Sequence, residues 1–215
     1  MINTSINQFK HIANNLHDNF NIIKVDHMII GGGIIGTSLA YHISSYDDQS
    51  VILIDKNIIG SGATGLSAGT IYSPFDTIPK INYDKSYDYL KSYLSIGTIE
   101  IIKEINNQID CSFSQPGSIT LNTNKTKKYT SDLVKKGIQY GQNIKLLPTC
   151  DIFAPSSSQV NPQKLVNAFA EISKKNGTTI LNGTYIKKIQ FNKNNYHITL
   201  NNKKTYQCKN LILTN

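Results

Sequence analysis

A strand-like apolar run that leads directly into a glycine-rich turn constrains the fold of this chain more than any other feature. Residues 25–36 read Val-Asp-His-Met-Ile-Ile-Gly-Gly-Gly-Ile-Ile-Gly, so Gly31, Gly33 and Gly36 take the glycine positions of G-x-G-x-x-G. A second apolar run, which ends in an aspartate, fills residues 51–55. A strand, a glycine turn, a helix and a second strand closed by an acid form the βαβ unit that binds dinucleotides.

Each position of this motif has a physical task. Gly31 allows the tight turn out of the strand, Gly33 leaves room for a pyrophosphate beside the backbone, and Gly36 lets the next helix pack on the sheet. The N–H groups at the start of that helix then face the phosphates. Asp55 would accept hydrogen bonds from the adenosine ribose, and its charge disfavours the 2′-phosphate of NADP, which leaves FAD or NAD. The alternative is a glycine-rich turn in an ordinary α/β sheet.

A second glycine-rich stretch follows this aspartate. Residues 57–70 read Asn-Ile-Ile-Gly-Ser-Gly-Ala-Thr-Gly-Leu-Ser-Ala-Gly-Thr, with small hydroxyl residues between the glycines. One explanation is a flexible linker. We favour a loop that cradles a ligand, because small residues let backbone N–H groups approach a ligand closely.

The remaining pattern predicts a parallel sheet interrupted by an inserted domain. Asn161-Pro162 is typical of a helix start, and Gly177 ends that helix. The other predicted elements of the sheet domain are the strands 26–30, 51–55, 178–181, 184–191, 196–200 and 211–214, the helix 34–45, and hairpin turns at 192–195 and 201–204. Helical patterns at 83–109 and 125–140 with a strand at 117–122 show no βαβ order, and we interpret the Tyr- and Leu-rich stripe of the first as core.

Composition argues against several function classes. The net charge is +8, but every basic residue apart from histidine is a scattered lysine, and arginine, on which nucleic-acid surfaces normally depend, is absent. Histidines and cysteines lack metal-ligand spacing, so no metal site is predicted. The three cysteines are far apart, and no apolar run reaches the ~18 residues that a membrane span needs. Without a secretory leader pattern, these features predict a cytoplasmic protein.

Three stretches of the sequence resemble one enzyme family. They are Gly31–Tyr41 (GGGIIGTSLAY), Asp55-Lys56 and Gly60–Gly69 (GSGATGLSAG). Together they resemble the amino-terminal part of the FAD-dependent amine and amino-acid oxidoreductases, which include glycine oxidase, sarcosine oxidase and D-amino-acid dehydrogenase. The resemblance implies an α/β fold: a Rossmann-like FAD-binding domain with an inserted α+β portion of a substrate domain.

The resemblance also implies which residues contact FAD. They are Gly31, Gly33, Ile34, Ile35 and Gly36 at the pyrophosphate turn, Asp55 and Lys56 at the adenosine ribose, Ala63, Thr64, Ala68, Gly69 and Thr70 along the pyrophosphate and ribitol, and Ile186 at the adenine. Thr214 lies where the strand of the family reaches the flavin. The implied domain bounds are a polar lead over 1–24, an FAD-binding domain over 25–75 and 150–215, and a partial substrate domain over 76–149.

The sequence departs from this family in two places. Leu66 stands where relatives often carry Arg or His, and the covalently flavinylated members carry the His, so we expect non-covalent FAD. Family members also continue beyond the strand at 211–214 with a half that completes the substrate sheet and grips the substrate carboxylate. We therefore expect a chain truncated at its C-terminus, whose fold a second polypeptide or an oligomer would complete.

The activity implied by the resemblance is oxidation of the C–N bond of an amino acid or a secondary amine. A hydride equivalent would pass to the flavin, and the imine product would then hydrolyse. We name no catalytic residue, because the family pattern implied by the resemblance has no obligatory acid, base or nucleophile in this half. Helix packing explains Tyr83, Tyr87 and Tyr89 better than a catalytic role does. Two alternatives stay open, a cofactor-binding piece without turnover and an NAD-dependent dehydrogenase, although the loop at 60–69 favours a flavin over NAD.

Overall fold

The structure, a computed structural model, describes residues 22–46, 48–72, 85–122 and 127–214. The helices are α1 (Ile34–Tyr46), α2 (Lys85–Gln108), α3 (Lys127–Gln139) and α4 (Pro162–Lys175). The strands are β1 (Ile22–Ile30), β2 (Val51–Ile54), β3 (Thr70–Ile71), β4 (Ser118–Thr120), β5 (Lys145–Leu146), β6 (Ile152–Ala154), β7 (Ser158–Gln159), β8 (Thr179–Leu181), β9 (Ile186–Asn192), β10 (Asn195–Leu200) and β11 (Thr205–Leu213).

These elements form two compact units. The chain passes from the first to the second between Thr64 and Gly65, and returns between Ala168 and Phe169. The sequence-based domain bounds remain predictions beside this division.

The first unit is built on a six-stranded sheet in the order β8-β2-β1-β11-β10-β9. The strands β8, β2, β1 and β11 run parallel, and β10 and β9 are antiparallel. The next strand in sequence, β2, lies on one side of β1, and the last strand, β11, lies on the other. Such a point, where the strand order changes direction, is where open α/β sheets bind ligands at the carboxyl ends of their strands. The predicted α/β class is confirmed.

Alternate residues of the central strands enter two hydrophobic clusters. Ile29, Val51 and Leu53 cluster with Ala40 of α1. The neighbouring positions Met28, Ile52 and Ile54 form the second cluster with Ile198, Leu200, Tyr206 and Cys208 of β10 and β11. All four residues of β2 are therefore buried, as expected for a strand covered on both faces. This double burial explains the continuous apolar runs before the glycine turn and before the aspartate.

Two strands are longer than their apolar runs predict. β1 begins at Ile22 and β11 at Thr205, so both start several residues before their predicted positions 26 and 211. The two strands pair in parallel from Ile22↔Thr205 to Ile30↔Leu213. Backbone pairing does not require apolar side chains, and exposed residues near the start of β1 and in the middle of β11 interrupt the hydrophobic pattern.

Local turn and cap predictions are confirmed. Lys193 and Asn194 have φ of 48° and 62°, as the two-residue turn between β9 and β10 requires. Asn161 Oδ1 accepts from the N–H of Lys164 at 3.0 Å, which makes Asn161 the N-cap of α4. Gly177, with φ of 96°, follows the end of that helix.

The second unit contains a small antiparallel sheet of β4, β6 and β5 and a two-stranded pair of β3 and β7. Val134 of α3 packs against this sheet in a cluster with Ile144, Ile152 and Ala154. The strand and helix predicted for the insertion lie within one or two residues of β4 and α3.

The predicted core stripe of α2 is only partly correct. Ile102 and Ile105 are buried, but Leu90, Tyr93 and Leu94 are 53%, 67% and 56% exposed. At that end of the helix the buried position is Ser92, whose hydroxyl donates to the carbonyl of Tyr140 at 3.0 Å. A buried polar contact thus replaces the expected apolar packing. Tyr83 and the side chains of Tyr87 and Tyr89 lie outside the described residues.

Candidate dinucleotide site

The glycine turn leaves the sheet at the carboxyl end of β1. Gly31 has φ of 113°, which residues with a side chain rarely adopt. Its N–H still donates to the carbonyl of Ile54 at 2.9 Å, so the turn begins while the chain is paired with β2. The first glycine of the motif is therefore required by backbone conformation.

Close approach of other groups constrains the other two glycines, Gly36 strictly and Gly33 weakly. A Cβ on Gly36 would lie 1.9 Å from the carbonyl oxygen of Gly31 and 2.8 Å from Thr214 Oγ1. A Cβ on Gly33 would lie 3.1 Å from Thr64 Oγ1, which is tight. The start of α1 can thus pack against the turn only when residue 36 has no side chain.

Gly32, to which the motif assigns no task, is also constrained. A Cβ at this position would lie 2.4 Å from Ile59 Cγ2 and 3.2 Å from Asp55 Cβ. Ile59 is almost fully buried. The G-x-G-x-x-G pattern gives no signal for this constraint, because the residue that covers Gly32 lies in the loop after β2.

The amino end of α1 offers hydrogen-bond donors at this edge of the sheet. Ile34 N–H donates to Thr64 Oγ1 at 3.1 Å. The N–H groups of Ile35 and Gly36 have no acceptor within the described ranges. The first turn of α1 contains no acidic residue to neutralise its positive end. Two donors and a partial positive charge are the features with which a helix start binds a phosphate.

Asp55 lies beside this turn. Its Oδ2 accepts from Gly32 N–H at 2.7 Å, and its Oδ1 accepts from Asn57 N–H at 2.7 Å. A carboxylate has about four lone-pair positions, so each oxygen retains acceptor capacity. Both partners are backbone groups, which hold the carboxylate in place and leave its charge without a cation in this contact.

The loop after Asp55 folds back over the glycine turn. Gly60 N–H donates to Gly32 carbonyl at 2.8 Å, and Ile59 N–H donates to Asn182 Oδ1 at 3.2 Å. With the Thr64 contact to Ile34, these bonds favour a defined ligand-side loop over a flexible linker for residues 57–64. Of the predicted residues, Lys56 directly precedes this segment and Ala63 lies in it, and both are exposed.

The segment before β9 also reaches Asp55. Thr184 N–H donates to the carbonyl of Asp55 at 2.8 Å, and Gly183 N–H donates to the carbonyl of Asn57 at 3.1 Å. Ile186 begins β9 two residues later and is partly buried. The structure therefore brings the predicted adenine-side segment next to the predicted ribose acceptor.

Three predicted residues, Ala68, Gly69 and Thr70, lie in the second unit. Gly69 has φ of 67°, and a Cβ there would lie 2.1 Å from the carbonyl oxygen of Val160. Its carbonyl accepts from Val160 N–H at 2.9 Å, and Thr70 pairs with Gln159. Strand pairing within this unit is thus enough to explain the glycine at position 69.

Metal binding, a membrane-spanning helix and chemistry at the Cys208 thiol find little support in the described parts of the chain. They contain no group of three His, Cys, Asp or Glu side chains that could hold a metal ion. None of their helices is long and apolar enough to cross a membrane. Burial raises the pKa of the Cys208 thiol to about 11, which makes this thiol a poor nucleophile.

Comparisons with known proteins concern the fold and the family of this chain. No curated protein sequence gives a significant match. Similar solved structures include L-proline dehydrogenase from P. horikoshii (TM-score 0.73, 20% identity, 90% of this chain and 53% of that chain). They also include glycine oxidase from Geobacillus kaustophilus (TM-score 0.67, 16% identity, 89% and 55%) and L-alpha-glycerophosphate oxidase from Mycoplasma pneumoniae with FAD bound (TM-score 0.67, 18% identity, 88% and 53%).

At these identities the structural likeness shows the fold alone, and the chain spans about half the length of these structures. The family evidence comes from the sequence itself. The family model described as FAD dependent oxidoreductase matches residues 26–215, and the chain belongs to this family.

Proposed function

We propose that this chain binds FAD non-covalently and functions in an oxidoreductase that acts on the C–N bond of an amino acid or a secondary amine. The observation that carries the cofactor part is the hydrogen bond from Gly32 N–H to Asp55 Oδ2 at 2.7 Å. It joins the glycine turn, with its phosphate donors, to an acceptor for ribose hydroxyls. Two of the similar structures, glycine oxidase and L-proline dehydrogenase, support the substrate class by their names.

Each group of residues has a proposed role toward FAD. The N–H groups of Ile35 and Gly36 donate to phosphate oxygens at the positive end of α1. Asp55 accepts from the ribose through the lone pairs that its two backbone bonds leave, and Lys56 lies beside it. When bound, FAD supplies the two-electron acceptor of the reaction, and the chain supplies position and charge.

The other assignments follow from the resemblance. Gly31, Gly33 and Ile34 shape the turn, Ala63 and Thr64 follow the pyrophosphate, and Ile186 lies at the adenine. Ala68, Gly69 and Thr70 belong to the second unit, and their part in binding is proposed from the resemblance alone. Leu66 is 88% exposed and offers no nucleophile for a covalent flavin bond.

A cytoplasmic location and a small-molecule amine substrate belong to the same proposal. The cysteines Cys111, Cys150 and Cys208 form no disulfide, which supports a reducing compartment. We also propose that a second polypeptide, or another copy of this chain, contributes to the substrate side. A comparison of the chain with and without added cell extract tests for such a partner.

The cofactor part is tested by loading the purified chain with FAD and desalting it. The wild-type chain should retain the oxidised-flavin band near ~450 nm. Asp55→Ala should weaken FAD binding by about tenfold or more, because a hydrogen bond to a charged group contributes about 1.5–3 kcal/mol. Asp55→Asn, which keeps one acceptor oxygen, should fall between the two. Asp48→Ala removes an equal charge from an exposed position and serves as the matched control.

The substrate part is tested by anaerobic bleaching of the loaded chain. Glycine, sarcosine and proline should bleach the flavin faster with cell extract than without it, and glycerol 3-phosphate should not bleach it. Equal rates with and without extract would count against a second polypeptide. Bleaching by glycerol 3-phosphate alone would contradict the C–N substrate class. A wild-type chain that retains no flavin would contradict the cofactor part, and tight retention of NAD instead would point to the dehydrogenase alternative.

A further inference from the structure

A hydroxyl from the far end of the chain contacts the glycine turn. Thr214 follows β11, and its Oγ1 lies 3.0 Å and 2.9 Å from the carbonyl oxygens of Ile30 and Gly31, which share its one hydroxyl proton. The backbone N–H of Thr214 also donates to Ile30 carbonyl at 2.9 Å. The parallel register of β1 and β11, which pairs Ile30 with Leu213, brings residue 214 to the start of the turn.

We propose that Thr214 is a positioning residue: its hydroxyl contacts the carbonyl of Gly31 and so holds the glycine turn of the dinucleotide site in place. This inference rests on the proposed FAD site, and it assigns to Thr214 a role that differs from the flavin contact implied by the resemblance. The hydroxyl fixes the Gly31 peptide, and the Gly31 peptide sets the position at which α1 begins.

The contact between Gly31 and Gly36 links this hydroxyl to the phosphate donors. The carbonyl oxygen of Gly31 lies 1.9 Å from the place where a Cβ of Gly36 would be, and Thr214 Oγ1 lies 2.8 Å from the same place. A shift of the Gly31 carbonyl by a few tenths of an ångström therefore moves the first turn of α1. The N–H groups of Ile35 and Gly36 move with that turn.

The chemistry of residue 214 separates positioning from packing. Serine keeps the donor, and alanine removes it without adding bulk. Valine places a methyl group where Oγ1 stands, about 3 Å from two carbonyl oxygens, whereas carbon–oxygen contacts prefer roughly 3.3–3.6 Å. Valine therefore both removes the donor and pushes the Gly31 carbonyl away, so the comparison of serine with alanine isolates the contribution of the donor.

The experiment measures FAD affinity by quenching of flavin fluorescence, and amide hydrogen exchange over residues 31–36 without FAD. Thr214→Ser should bind within about twofold of wild type, Thr214→Val about tenfold more weakly, and Thr214→Ala between them, since alanine loses the hydrogen bond without adding a clash. Exchange over residues 31–36 should be faster in Thr214→Val and unchanged in α3.

Equal losses of affinity and equally faster exchange in Thr214→Ser and Thr214→Ala would show that the donor has no role and would overturn the proposal. Faster exchange throughout the chain in Thr214→Val would show general destabilisation and overturn it too. If the wild-type chain fails to bind FAD, the proposed function is wrong, but the exchange comparison still decides whether Thr214 positions the turn.

Discussion

Two aspartates lie at opposite ends of β2 and have different surroundings: Asp26 of β1 lies beside the amino end of β2, and Asp55 follows its carboxyl end. At the amino end, Asp26 accepts from Lys209 Nζ at 2.7 Å and from the N–H and hydroxyl of Ser50 at 3.0 Å and 2.8 Å. At the carboxyl end, Asp55 accepts only from backbone N–H groups in the described residues. Asp26 is paired with a cation, whereas Asp55 has no cation partner among the described residues.

This difference assigns a structural role to Asp26 and leaves Asp55 available to a ligand. The bond from Lys209 and those from Ser50 hold the pKa of the Asp26 carboxyl far below its usual range. They tie β1, β2 and β11 together and satisfy the carboxylate within the chain. At the other end, the donors of α1 and the remaining lone pairs of Asp55 have capacity for a ligand. The backbone donors of α1 and the carboxylate of Asp55 thus lie together at one edge of the sheet.

The largest expected effect comes from Gly36→Ala at the carboxyl end. The new Cβ would meet the backbone oxygen of Gly31 at 1.9 Å, and no side-chain movement can relieve that contact. We expect a loss of stability of about 3 kcal/mol and no measurable FAD binding. Thermal unfolding and the flavin spectrum measure the two effects. Wild-type FAD affinity in this variant would contradict the geometry of the turn.

Gly32→Ala should have a smaller effect that a second substitution relieves. Its Cβ would meet the side chain of Ile59, 2.4 Å from Cγ2, rather than backbone. We expect a loss of about 1–2 kcal/mol, and Ile59→Ala in the same chain should recover part of it by removing that methyl group. A double-mutant cycle in urea measures the coupling. Additive losses would mean that Ile59 does not cover Gly32.

The smallest effect on binding is expected from Asp26→Asn at the amino end. Because the pKa of Asp26 is lowered in the folded chain, its carboxylate stabilises the fold above the unfolded pKa of about 3.9, and this contribution is lost as pH falls from about 5. The variant should lose up to about 1 kcal/mol at pH 7, since solvent screens this exposed pair, and show a weaker acid dependence. Its FAD affinity at pH 7 should equal that of wild type.

Urea unfolding between pH 3 and 7 measures this contribution. A variant that matches wild type in stability at pH 7, or that loses FAD affinity in the folded state, would show that the two ends of the sheet do not have the separate roles described above.

The sequence predicted the glycine turn, Asp55 and the central strands because local features determine them. A positive φ at Gly31 and double burial of β2 leave direct traces in residue type. Gly32, Asn182 and Thr214 could not be assigned in this way, because their partners lie in distant segments. The exposed start of α2 was missed for a related reason: helical periodicity gives a stripe, but it does not say where along the helix that stripe is covered.

The most direct test of a ligand site at the carboxyl edge is an NMR titration of the isotopically labelled chain with FAD. The account predicts that the amide signals of Ile34, Ile35, Gly36 and Asp55 shift on addition of FAD, while those of Asp26, Ser50 and Lys209 stay in place. Shifts confined to the amino end, or equal shifts at both ends, would contradict the assignment of the dinucleotide site to the glycine turn.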